Sequence, residues 1–403
     1  FKLLQKLVDR MNLVARENLT GVQVVRAFSR EGYETARYGV ANENLTRVNR
    51  FINYAFSYVM PLMMLVINSV VLLVLWFGAM GIEAGRMQVG DMIAFISYTM
   101  QIAFAFMTMA MMGAIMLPRA EVASQRVNEV LNTEGSVKSP GHPVSLPQDS
   151  PGGLRFEGVS FRYPDSGEDV LTDLNFDIAP GQTAAVIGAT GSGKSSLIQL
   201  IPRFFDVTAG RVLLDGVDIR GLALHDLRSR IGFVPQQSLL FSGSIADNIK
   251  FADEGMEDAA MERAARMAQA DRFIAEREEG YDSPVSQGGT NLSGGQKQRV
   301  SIARAIAARP KLLLFDDSFS ALDYRTDLQV RQALKEQLRG TTVIIVAQRI
   351  ATVMQADTIL VLDQGRLAGQ GTHRELMASC PAYQQIARSQ LSEAELAGKE
   401  GRP

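Results

Sequence analysis

The chain has 403 residues, enough for two or three domains. Its formal net charge of −2, from 41 basic and 43 acidic residues, argues against a broad nucleic-acid-binding surface. A single cysteine, Cys380, excludes an internal disulfide and suits a reducing compartment, and three scattered histidines (His142, His225, His373) lack the spacing of a metal site.

Residues 1–50 are polar and helical in pattern, with Leu3, Leu4, Leu7, Val8 and Met11 recurring at three-to-four spacing. The pattern is already under way at Phe1 with no signal peptide before it, so the start reads as a truncation. Gly21 and Gly32 bracket Val22–Glu31, which predicts a short helical piece between two longer helices.

Two charge-free runs follow: 32 residues from Phe51 to Ile82 and 27 from Met92 to Pro118. About 20 apolar residues suffice to cross a bilayer. Both runs are therefore predicted as transmembrane helices, the first tolerating Pro61, Asn68 and Gly78. Two buried helices of a large soluble core are the alternative, but core helices seldom stay uncharged so long. Arg47 and Arg50 before the runs, with Arg119 and Arg126 after them, put the outer flanks in the cytoplasm. The short connection bearing Glu83, Arg86 and Asp91 is then external. Met100, Phe104, Met107 and Met111 share one helical face, either an adaptable lining for varied ligands or a plain lipid and packing surface. Neither run holds a charged residue that would serve as counter-ion to a cargo.

Residues 132–152 contain Pro140, Pro143, Pro147 and Pro151 with Gly141 and Gly152, a linker by composition. Beyond them, Thr183–Ile187, Lys311–Phe315, Thr342–Val346 and Thr358–Leu362 read as buried strands alternating with helices, an α/β pattern. One strand leads into Gly188-Ala189-Thr190-Gly191-Ser192-Gly193-Lys194-Ser195, and a helix opens at Ser196. That context makes the loop a phosphate-binding P-loop: backbone N–H groups cradle phosphates, Lys194 reaches the β- and γ-phosphates, and Ser195 offers a hydroxyl to Mg2+. Leu312-Leu313-Leu314-Phe315-Asp316 is an apolar strand ending in a carboxylate, which suits a second Mg2+ ligand better than a surface turn acid.

About a hundred residues after the P-loop stands Leu292-Ser293-Gly294-Gly295-Gln296. On this pair of motifs, residues 153–390 resemble the nucleotide-binding domain of an ABC transporter, and residues 1–131 resemble part of an ABC exporter membrane domain. The resemblance implies an all-α transmembrane segment followed by an α/β P-loop ATPase. Residues 1–131 would be the C-terminal part of the membrane domain, with a coupling helix at about 20–32 and only the last two of six membrane helices, at about 51–82 and 92–118. Residues 132–152 would be the linker, 153–392 the ATPase domain and 393–403 a tail. The protein would be multi-pass in the cell membrane with its ATPase in the cytoplasm, and fusion of the two parts favours an exporter over an importer.

The same resemblance assigns roles. ATP would be held by Gly188, Gly191, Ser192, Gly193, Lys194, Ser195 and Ser196, with Mg2+ on Ser195, Asp316 and Gln236. Tyr163 would stack on adenine, or else serve as a core aromatic at a strand end. Gln236, in Val234-Pro235-Gln236-Gln237, would touch Mg2+ and the attacking water. Ser293, Gly294, Gly295 and Gln296 would present a helix N-terminus to the γ-phosphate on a partner subunit. The loop ending at Asp323 would cross to that partner.

Two catalytic positions depart from the family. Asp317 stands where a glutamate polarises the attacking water, and Gln348 where a histidine contacts the γ-phosphate. Pro284-Val285-Ser286-Gln287-Gly288-Gly289 also departs from the usual Val-Gly-Glu-Arg-Gly. A weakened P-loop side with an intact signature resembles the degenerate half of a heterodimer, whose different partner supplies Glu and His. The alternatives are a homodimeric exporter with weak ATPase and a non-transport ABC ATPase acting as a switch. A bilayer, a second half-transporter and an exported small molecule, lipid or peptide are the expected partners; nucleic acid is not.

Overall fold

The computed structural model describes residues 2–391 apart from 148 and 165, and it divides into two compact units between Glu134 and Gly135. The tail at 393–403 lies outside the described residues, as does the side chain of Met111.

The first unit holds helices α1 (Lys2–Thr20), α2 (Val22–Ala27), α3 (Glu31–Glu83) and α4 (Val89–Asn132). α1 packs on α3 around Val14 and Ala41, both buried, and Arg37 pairs with Glu17 and with Glu34. α2 buries none of its residues. The expected glycine bracket holds only at Gly21. Gly32 lies inside the first turn of α3, and the chain breaks earlier, at Ser29, whose φ is 50°. Arg30 N donates to Val25 O at 2.9 Å and Ser29 N to Arg26 O at 3.1 Å. Those two bonds make a Schellman stop with serine in the left-handed position that glycine usually takes.

α3 is one helix of 53 residues, about 80 Å at 1.5 Å per residue, with Pro61 inside it. The charge-free run is thus the second half of a helix that starts among polar residues. Its most apolar stretch has mean hydropathy 2.4 and is 6% buried; that of α4 reaches 1.5 with none buried. Leu62, Leu73, Trp76 and Phe77 all stand exposed. A soluble core helix would bury such side chains, so the faces suit lipid or neighbouring membrane helices. α3 and α4 meet closely at Gly78, where a Cβ would sit 2.9 Å from Met92 Cγ.

The second unit opens with strands β1 (Leu154–Phe161), β2 (Leu171–Ile178) and β3 (Thr183–Gly188), then α5 (Lys194–Leu200), β4 (Ala209–Leu214), β5 (Val217–Asp218), α6 (Leu224–Arg228) and β6 (Ile231–Val234). A helical part follows: β7 (Gly243–Ser244), α7 (Ile245–Ile249), α8 (Asp258–Met267), α9 (Asp271–Ala275), β8 (Pro284–Val285) and α10 (Gly294–Ala307). The chain closes with β9 (Leu312–Asp316), α11 (Tyr324–Gln337), β10 (Thr342–Val346), α12 (Ile350–Val353), β11 (Thr358–Asp363), β12 (Arg366–Gly371), α13 (His373–Ser379) and α14 (Pro381–Gln390).

A six-stranded sheet in the order β12-β11-β3-β10-β9-β6 is parallel except at β12. Both its faces are covered, which explains the unbroken apolar runs. Ala185, Ile187, Leu313, Phe315, Val343 and Ile345 point into one core, and their alternates Ala184, Val186, Leu312, Leu314, Ile344 and Val346 into the other. A four-stranded antiparallel sheet, β2-β1-β4-β5, covers the second core. The proline-rich stretch is partly tied to this unit. Val144 N donates to Gly221 O at 2.8 Å, Leu146 is buried, and Asp215 accepts from Gly152 N at 3.0 Å and Gly153 N at 2.6 Å.

Candidate functional site

Parallel register brings the candidate residues to one edge of the sheet. Val346 pairs with both Val186 and Asp316, and Val234 pairs with Phe315. One or two residues past those positions the strands lead to Gly188 on β3, Gln348 after β10, Asp317 after β9 and Gln236 after β6. The carboxyl ends of parallel strands are where α/β sheets place ligands.

The loop between β3 and α5 has the backbone a phosphate cradle needs. Gly191 and Gly193 take φ of 83° and 95°, and a Cβ on Gly193 would lie 2.6 Å from Leu171 Cδ2. At Gly188 a Cβ would meet Leu362 O at 2.2 Å. Lys194 is buried and its Nζ donates to Gly188 O at 2.9 Å and Ala189 O at 2.7 Å. Ser192 is buried in the same loop. Ser195 Oγ donates to Asp316 Oδ1 at 2.9 Å. Tyr163 is half-buried, bonded through its hydroxyl to Ser196 Oγ at 3.0 Å and edge-on to Phe161 and Phe205. It stands beside the first turn of α5, as both a stacking and a packing role require.

Burial dominates the ionisation of this edge. It lowers the Lys194 pKa, against the pull of Asp317 and Asp316. It raises those of Asp316 and Asp317, opposed at Asp316 by the Ser195 hydroxyl and at Asp317 by Gln348. A hydroxyl and a carboxylate 2.9 Å apart, in a site whose carboxylates are pushed toward the neutral form, suit a hard divalent cation that shares oxygen ligands with a phosphate. Among the described residues no group of three His, Cys, Asp or Glu side chains gathers to hold a metal by protein ligands alone. The residues present therefore fit Mg2+ brought with a nucleotide.

The two departures touch each other. Gln348 Nε2 donates to Asp317 Oδ2 at 2.7 Å. Asp317 takes φ of 47°, a left-handed backbone that aspartate tolerates better than most, and its N–H donates to Val346 O at 3.0 Å. Gln236 is exposed in the bend after β6. Two residues on, Ser238 Oγ donates to Gln298 Oε1 of α10 at 2.5 Å, so the loop and the signature helix are directly linked.

The signature helix begins within its motif, at Gly294, with Ser293 as its N-cap. Ser293 Oγ accepts from Gln296 N at 3.3 Å while Gln296 Oε1 accepts from Ser293 N at 3.0 Å, a reciprocal capping box. Nothing lies within 4 Å of a Cβ built on Gly294. Ser293 and Gly294 are thus exposed at a helix end that attracts anions. Asp323 caps α11, accepting from Thr326 N at 3.0 Å, and is not brought to the P-loop edge by any bond. The stretch Pro284–Gly289 is held by Asn291, whose Oδ1 accepts from Ser286 N at 3.0 Å. Sequence reasoning missed Gln390, which bonds to the main chain beside Gln348; no spacing or motif marks it.

Residues 171–320 match the family model for the ABC transporter, and residues 1–106 match that for the ABC transporter transmembrane region. An ABC transporter ATP-binding protein of Mycobacterium tuberculosis is 43% identical over 401 residues, covering 99% of this chain and 68% of the relative. An ATP-dependent lipid A-core flippase of Chromohalobacter salexigens is 37% identical over 382 residues, covering 95% of this chain and 65% of the relative. A solved structure of a bacterial Atm1-family ABC exporter with ATP bound superposes with a TM-score of 0.83 at 31% identity, over 97% of this chain and 70% of that one. With helices fit to cross a membrane fused to a P-loop ATPase that carries the signature, the chain belongs to the ABC transporter family as an exporter-type membrane region and cytoplasmic ATPase in one polypeptide.

Proposed function

We propose that this chain is the slow-site half of a heterodimeric ABC exporter. It holds ATP and Mg2+ on its own P-loop, turns that ATP over slowly, and lends its signature to a fast site on a different half-transporter that carries Glu and His. The reading rests on the direct bond between Asp317 and Gln348. A general base must reach its water, and Asp317 is one methylene, about 1.5 Å, shorter than the family's glutamate. Gln348 donates a neutral hydrogen bond where the family has an imidazole, and here it gives one to Asp317.

In this reading the P-loop amides and Lys194 hold the phosphates, and Ser195, Asp316 and Gln236 surround the cation. Bound ATP supplies the anhydride whose γ-phosphoryl passes to water. Ser293, Gly294, Gly295 and Gln296 face the partner's ATP, the Asp323 loop meets the partner, and Tyr163 stacks on adenine. An apolar or amphipathic cargo fits the uncharged spans and the flippase among the relatives.

The test is ATPase activity of this half with and without its partner. The pair should be fast and the self-paired chain slow. Ser293→Ala should cut turnover of the pair on the order of a hundredfold, the scale for losing one positioned donor. Brisk hydrolysis by the self-paired chain would sink the proposal.

A further inference from the structure

The last residue of α14, Gln390, grips the main chain on both sides of Arg349. Its Nε2 donates to Gln348 O at 2.8 Å and its Oε1 accepts from Ile350 N at 2.8 Å. A primary amide carries a donor and an acceptor on one plane, so a single side chain makes both bonds. Glutamate lacks the donor, lysine lacks the acceptor, and asparagine is a methylene short.

Both ends of this contact are anchored. α14 starts at Pro381 and buries Tyr383 and Ala387 completely, and Tyr383 OH lies 2.8 Å from His373 Nδ1. On the other side Ala347 N donates to Val186 O of the central strand at 3.1 Å. The segment 347–350 is therefore pinned before and after Gln348. From that pinned main chain the Gln348 side chain reaches Asp317, donating to its Oδ2 at 2.7 Å. A continuous run of hydrogen bonds leads from the C-terminal helix to the nucleotide edge.

We infer that Gln390 is a positioning residue: it fixes the reach of Gln348 toward the terminal phosphate and so sets how strongly this chain's site prefers ATP to ADP. The inference rests on the proposal that Gln348 faces the γ-phosphate. Losing a γ-phosphate contact weakens ATP and spares ADP, whereas general loosening of the fold weakens both.

The experiment uses the full-length transporter photolabelled with 8-azido-ATP carrying an α-phosphate label. The label is read on this polypeptide alone and competed with ATP or ADP. Gln390→Ala should lower the ATP-over-ADP preference about tenfold, the scale of one net hydrogen bond, with ADP competition unchanged. Gln390→Glu, which keeps the acceptor for Ile350 N, should fall between wild type and alanine. Gln348→Ala should lose at least as much preference as Gln390→Ala.

If Gln348→Ala shifts the preference and neither Gln390 variant does, the positioning role is wrong and the reading of Gln348 stands. If Gln348→Ala also leaves it unchanged, both are wrong. If the Gln390 variants weaken ATP and ADP alike and lower the unfolding temperature, Gln390 is a structural residue and the inference is overturned.

Discussion

On the proposed reading, restoring the two family residues should raise turnover at this chain's own P-loop site. The perturbation is Asp317→Glu together with Gln348→His. Backbone geometry favours the exchange, because Asp317 N is held by Val346 O at 3.0 Å and Asp317 O accepts from Ser320 Oγ at 2.8 Å, so a longer side chain starts from the same Cα. The added methylene recovers about 1.5 Å of reach, and an error of 1 Å costs on the order of a hundredfold. A restored γ-phosphate contact is worth roughly 10² to 10³. The two effects are coupled, since the wild-type side chains bond each other at 2.7 Å, and groups acting as a unit do not multiply. We therefore expect a joint gain of roughly 10² to 10³, not the product. Glutamate at a φ of 47° also strains the backbone by about 1–2 kcal/mol, so the double variant should unfold at a slightly lower temperature. The assay is phosphate release from the assembled transporter in which the partner's own P-loop lysine is replaced, leaving only this chain's site to turn over. An unchanged rate in the double variant, or a wild-type site already as fast, refutes the reasoning.

Three further outcomes follow. Gly193→Ala must place a Cβ 2.6 Å from Leu171 Cδ2 at a φ of 95°, so ATP binding should be lost and thermal stability should fall by about 1–3 kcal/mol; normal ATP binding would show that the loop yields. Val66→Arg puts a charge at the middle of the first uncharged run and should cost about 2.5–3.5 kcal/mol of insertion, read as a smaller membrane-integrated fraction; unaltered insertion would contradict a transmembrane assignment there. Burial lowers the His373 pKa below its ordinary 6.5. The unfolded chain then takes up that proton first as pH falls, so the contribution is intact above about pH 7 and is lost progressively below 6.5. The unfolding-temperature advantage of wild type over His373→Gln should therefore shrink between pH 7.5 and 5.5, and a constant difference would speak against this.

Much of the architecture is legible because its causes are local. A charge-free run announces a membrane helix by composition, and Gly188–Ser195 announces a phosphate loop because glycine alone accepts those backbone angles at no cost. The four apolar strands stand out because a doubly covered parallel sheet has no polar face to write into the sequence. The antiparallel strands are less visible: β1 and β2 mix buried and exposed positions and pair through bulges, and β4 buries only Val212, Leu213 and Leu214. Ser29 hides a helix stop because serine is not the residue a left-handed turn asks for. Gln390 is invisible for a different reason: its partners lie 40 and 42 residues back and are main-chain atoms, which leave no mark on residue identity.

The length of α3 has a mechanical consequence. A rod of 53 residues that begins in water and ends beyond the uncharged run behaves as a lever, so a displacement at Glu31 cannot be absorbed along the way except where the rod can flex. Its sole proline, Pro61, has no N–H to offer the Ser57 carbonyl, which leaves one missing rung about ten residues inside the apolar stretch. Motion fed in from the aqueous end must arrive as a tilt of the whole shaft or as an elbow at that rung.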